Sequence, residues 1–234
     1  MTAKAGDEES GYSRTVNFFG HAVIACWQRP EPDFVLGSML PDFVSMLRTR
    51  LPTVNEPAVV DGISFHHATD RIFHDLTSFR GLSSTAFAWL SEHGLRRGSA
   101  RAVAHIGVEV LLDAALADDE AACAGYVSAL DVATGERFQR DVKWPEAALS
   151  ERFAKLCGAL QARGIVRSDV APDFVALRVR RALAGRPRLE LDDAGEAVVA
   201  KWVLGARRAI VACAPDLIAE LKAKLVPESI ATLS

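Results

Sequence analysis

The chain has 234 residues, 50% hydrophobic and 24% charged, with 27 Lys and Arg against 30 Asp and Glu for a formal net charge of −3. The apolar share is too high for a disordered chain, and the length supports a core that needs no disulfide staples. The negative balance lacks the positive excess by which non-specific nucleic-acid binders neutralise phosphate, so no nucleic-acid partner is expected.

Four cysteines (Cys26, Cys123, Cys157 and Cys213) form no C-x-x-C pair, which points to reduced thiols and away from a zinc ribbon. No apolar run reaches the roughly 18–20 residues needed to span a bilayer. The first residues carry acids where a secretory signal would be apolar. A cytoplasmic protein with no membrane partner is the expectation.

In chain order, residues 1–14 are polar and read as a loose tail, with residues 15–234 as a single domain. Val16, Phe19, Val23 and Trp27 can share one face of a first helix, closed by Pro30 and Pro32. Phe34 to Leu47 reads as a second helical stretch interrupted at Pro41, and Pro57 suits the first turn of a third helix running to about Asp75. Helical periodicity continues over Ser84–His93, Arg101–Leu116, Glu120–Val132, Pro145–Arg163 and Pro172–Ala184. A last, Ala-rich segment from Glu196 to Leu225 contains Pro215, which predicts a break or kink. Strand signals are poor: Val59-Val60 and Ile165-Val166 lack alternation and hairpin turns. The expected fold class is all-α, one compact multi-helix domain of about eight or nine helices.

The polar chemistry is unevenly placed. All six histidines (His21, His66, His67, His74, His93 and His105) fall in the first 105 residues. The densest cluster runs from Ser64 to Asp75, where His66, Asp70 and His74 follow one another at four-residue spacing on one helix face. A divalent metal needs several N and O donors converging at about 2.0–2.3 Å, and such spacing supplies part of a set. A solvated polar face would show the same pattern.

A second constellation, His105 and Glu109, lies in the strongly apolar AHIGVEVLLD stretch ending at Asp113. The pair must therefore face a partner or a cavity, because an unpaired buried carboxylate is strongly destabilising. Gly107 between them suggests the close approach of another backbone. Asp42 sits beside Pro41, where it can point into a pocket or cap a helix, and Asn17 and His21 are again four apart.

Taken in order, NFFGH (17–21), GSMLPDF (37–43), VVDGISFHHATD (59–70), AHIGVEVLLD (104–113) and GRPRL (185–189) resemble the motifs of the acyl carrier protein phosphodiesterase family. That family is a divergent branch of the HD metal-dependent phosphohydrolases. The resemblance covers residues 15 to about 220, although 115–180 match only as generic helix.

It implies an HD-phosphohydrolase-like helical domain that uses a divalent metal (Mn, Mg or Fe) to release 4′-phosphopantetheine from a holo acyl carrier protein. The partner would be that protein or another phosphopantetheine-containing substrate. By residue match, Asp42, His66, Asp70 and Glu109 would hold the metal. His21, His105 and Glu109 would take part in catalysis, and Asn17, Arg186 and Arg188 would bind substrate. The chain departs from the family pattern at Ser38, His74 and His105, where the family carries Asn and two acids, which shifts the set toward nitrogen donors.

Arginines near positions 48–50, 96–101 and 178–181 could form a docking face for an acidic partner. Two other classes fit the same residues. One is a non-catalytic helical protein with a structural His/carboxylate cluster; the other is a metal-carrying oxidase or oxygenase.

Overall fold

A computed structural model of the protein describes residues 18–165, 167 and 171–225. The expected tail (1–14), Val16 and Asn17 lie outside the described residues, as do the last residues of the expected domain. Among the described residues there are ten helices and no strand, with one isolated bridge between Thr53 and Lys143. No described helix is long and apolar enough to cross a membrane. All four cysteines are free.

The first three helices build one wall. α1 (Phe18–Gln28) and α2 (Pro32–Met46) are separated by a short turn at Pro30. α3 (Pro57–His74) begins, like α2, with a proline whose fixed φ suits a first helical turn. The expected interruption at Pro41 does not occur: α2 runs through it, although the ring removes the amide that would reach the Gly37 carbonyl. Burial explains why the helix tolerates this, since ten of its residues are in the core, Leu36, Met39, Leu40 and Phe43 completely.

α2 makes its largest contact with α3, and the contact is made by backbones. A Cβ placed on Gly37 would come within 2.9 Å of the Gly62 Cα, and one on Gly62 within 2.8 Å of the Gly37 Cα. Nothing but glycine fits at either position, because the obstructing atoms are main chain and cannot swing aside.

α4 (Thr77–Glu92) and α5 (Arg97–Leu116) follow. α5 is the central element: from Ser99 to Ala114 it is buried on nearly all sides, against α4, α1, α9 (Pro172–Leu183) and α10 (Asp193–Lys224). Gly107 does mark a close approach, but to a side chain rather than a backbone: a Cβ there would meet the Trp202 ring of α10. α10 is 32 residues long and unbroken by Pro215. Its Glu220 accepts hydrogen bonds from the amides of Thr77 (2.9 Å) and Ser78 (3.2 Å), so it caps α4 and ties the last helix to the fourth.

α6 (Glu120–Thr134), the short α7 (Glu136–Asp141) and α8 (Ala148–Arg163) close the other side. Asp119 caps α6 by accepting from the Ala122 amide and also accepts from the Trp27 indole at 2.9 Å. α7 was not expected; six residues with one buried side chain, Phe138, leave too little periodicity to read.

The glycine contact makes a test of the packing. Gly62→Ala should destabilise the protein by on the order of 3 kcal/mol in urea unfolding, since overpacking against backbone has no cheap relief. Gly81→Ala should stabilise it by about 0.5–1 kcal/mol, because the helical Gly81 has open space around it.

Candidate metal centre

α3 presents His66, Asp70 and His74 on successive turns of one face, toward α1 and α5. Two groups of ligand atoms result, each with its members within 4.8 Å of one another: His21, His66 and Asp70, and His74, His105 and Glu109. Each is positioned to hold a metal ion.

In the first group His21 and His66 are 2% and 6% exposed. Their rings lie 4.0 Å apart between centroids, and His21 Nε2 is 3.7 Å from Asp70 Oδ1. His66 Nδ1 is 2.8 Å from the Ser38 carbonyl. A carbonyl only accepts, so Nδ1 carries the proton and the lone pair stays on Nε2, the tautomer a metal-binding imidazole needs. Ser38 is itself fixed, its hydroxyl donating toward the carbonyls of Val35 (2.7 Å) and His21 (3.2 Å).

In the second group His74 Nε2 is 3.7 Å and His105 Nε2 3.1 Å from Glu109 Oε1. The two imidazoles stack at 4.6 Å and 25°, with Phe79 of α4 edge-on to both. His105 Nε2 is buried and, despite its nearness to Glu109, lacks the alignment of a hydrogen bond. The groups meet at Asp70, whose Oδ1 also lies 3.1 Å from His74 Nε2.

The charges follow from this packing. Burial and then the neighbouring His66 push the His21 imidazole well below its usual range, so it is neutral and able to ligate. Burial works to raise Asp70, but its hydrogen bond with His74 and the surrounding imidazoles outweigh this and hold it down at about 2. For His105 burial works downward and the Glu109 charge prevails, raising it. Asp42 is pushed well up by burial and by Glu109, Asp70 and Asp113.

Of the residues singled out in the sequence, His21, His66, Asp70, His105 and Glu109 are brought together. Asp42 is 5% exposed and close enough to feel Glu109 and Asp70, but belongs to neither group of converging atoms. Its Oδ2 is buried without a hydrogen-bond partner, as is His21 Nδ1. Such orphaned polar atoms beside converging donors fit a site built for a cation.

Arg186 and Arg188 lie on a turn held by Arg48, which donates to the Ala184 carbonyl (3.0 Å), and by Arg96, which donates to the Glu190 carbonyl (3.2 Å). That turn packs on Gly98, about two helical turns along α5 from His105. Asp113 lines a separate cavity with Arg163 and Arg178. Arg178 therefore faces inward and Arg180 is bound to Asp193 and Glu196, while Arg181 is exposed. His67 is exposed, and His93 stacks on Trp89 at 3.6 Å.

One contributor, His74, stands in the sequence cluster but not in the expected ligand set, and another, Ser38, gives no sequence signal. His74 belongs to the four-residue series on α3, but the resemblance drew attention to the acid expected there. Ser38 acts through its carbonyl, which no side-chain pattern can signal. Comparison with protein-family models, curated proteins and solved structures finds no match to this chain.

Cation binding should show in stability. Mn²⁺ at a hundredfold excess over its Kd should stabilise the folded protein by about 2.7 kcal/mol, raising the Tm in a thermal melt. Asp70→Asn should remove the gain. The gain should also shrink on acidification, as protons compete for the imidazoles, His105 first because Glu109 raises it and His21 last because burial lowers it.

Proposed function

We propose that the protein is a divalent-metal-dependent phosphoester hydrolase. The observation that carries this reading is the convergence of His21, His66 and Asp70 from two helices, with His66 locked in the ligating tautomer by the Ser38 carbonyl. A metal ion bound there would lower the pKa of a water toward 7 and polarise a phosphoryl oxygen.

The chain's own residues would do the rest. His21 and His66 supply neutral nitrogens, and Asp70 remains ionised at any physiological pH. Glu109, 6% exposed at its side chain, and His105 beside it form a pair that can accept a proton from the attacking water or hold a further cation. Substrate oxygens would find positive charge at the turn carrying Arg186 and Arg188, which Arg48 and Arg96 also approach. A cluster of four arginines suits an acidic, phosphate-bearing partner. The ordered resemblance of five segments to the acyl carrier protein phosphodiesterases makes a holo carrier protein the first substrate to try, with a phosphodiester bond as the one broken.

Bis-p-nitrophenyl phosphate reports the chemistry without assuming the partner. Hydrolysis should require added Mn²⁺ and fall by at least on the order of 100-fold in His66→Ala and Asp70→Asn. Mass spectrometry of a holo carrier protein incubated with enzyme should show loss of phosphopantetheine. Metal-independent turnover, or turnover unaffected by both substitutions, would contradict the reading.

A further inference from the structure

Resting on that reading, we propose that the centre takes two divalent cations at once. The first lies at His21, His66 and Asp70, and the second at His74, His105 and Glu109, with the Asp70 carboxylate between them. The two triads are separate sets of donors, yet they share a boundary at a single oxygen: Asp70 Oδ1 is 3.7 Å from His21 Nε2 and 3.1 Å from His74 Nε2. A carboxylate has two oxygens and about four lone-pair sites, enough to touch two ions, and paired ions in phosphoester-cleaving sites sit about 3.5–4 Å apart.

Ligand atoms that span 4.8 Å need only side-chain adjustment to close on an ion at about 2.0–2.3 Å. In the second triad two stacked imidazoles face one buried carboxylate, with His105 Nε2 3.1 Å and His74 Nε2 3.7 Å from Glu109 Oε1.

Charge favours double occupancy as well. Two ions bring four positive charges to a pocket whose carboxylates are Asp42, Asp70 and Glu109, leaving an excess that an anionic phosphoester oxygen bridging the ions would meet. Four imidazoles among six donors favour borderline first-row ions (Fe, Co or Zn) over Mg²⁺, which prefers oxygen, and Mn²⁺, which binds both donor types, serves as the paramagnetic probe.

The test uses the full chain and Mn²⁺ alone. Protein stripped with a chelator, reloaded and freed of excess metal is assayed for manganese per chain and examined by electron paramagnetic resonance. The proposal expects two ions per chain and an exchange-coupled spectrum. In His105→Phe, which keeps a ring against Phe79, it expects one ion and an uncoupled six-line spectrum. One ion per wild-type chain with an uncoupled spectrum would overturn the second site and leave a single-ion hydrolase standing. No bound ion would overturn both. Two ions retained in a folded His105→Phe would refute the assigned ligands. Because the wild-type count and spectrum decide between one ion and two, the test survives a variant that fails to fold.

Discussion

The contact of Gly37 with Gly62 sets how closely α2 and α3 pack, and with it the surroundings of His66. Two helices can approach this closely only where neither carries a side chain, and the two glycines face each other. Ser38 follows Gly37 directly, and His66 lies one turn beyond Gly62. The close approach therefore sets the 2.8 Å bond between the Ser38 carbonyl and His66 Nδ1. Farther apart, the helices would leave the imidazole free to rotate and to exchange tautomers. A rigid backbone contact thus sets the chemistry of a side-chain nitrogen one turn away.

The rest of the site is a consequence of sharing. α3 offers three donors along one face, and each meets a donor or acceptor from another helix: His21 from α1 beside His66 and Asp70, and Glu109 from α5 beside His74. These groups are buried in a core otherwise made of Leu, Val, Ala and Phe. Burying so many titratable groups is unfavourable unless they compensate one another or a cation does so. The opposite directions in which Asp42 and Asp70 are driven show that compensation among the side chains is incomplete. Asp70 is held by imidazoles, while Asp42 meets mainly other acids.

Much of this was legible in the residues, and the exceptions have physical reasons. Four-residue spacing placed His66, Asp70 and His74 on one face, since helical geometry alone determines it. The apolar surroundings of His105 and Glu109 called for a partner or a cavity, and the partner is His74. Pro41 misled, because the loss of one hydrogen bond is outweighed by the burial of α2 on both sides of it. Gly107 signalled a close neighbour but not its kind, as a tryptophan ring and a backbone impose the same exclusion. The role of the Ser38 carbonyl was invisible, since every residue has a carbonyl and only packing selects one. The expectation of an HD-like arrangement and of phosphodiester chemistry rests on the order of short motifs alone, a kind of inference independent of the geometry.

Anomalous diffraction from crystals loaded with Mn²⁺, collected at the manganese edge, tests the central claim most directly. The account predicts a strong peak at coordination distance, about 2.0–2.3 Å, from His66 Nε2 and an Asp70 oxygen. Manganese found only at exposed carboxylates, with no density among these side chains, would contradict it and leave His21, His66 and Asp70 as a buried polar cluster of the core.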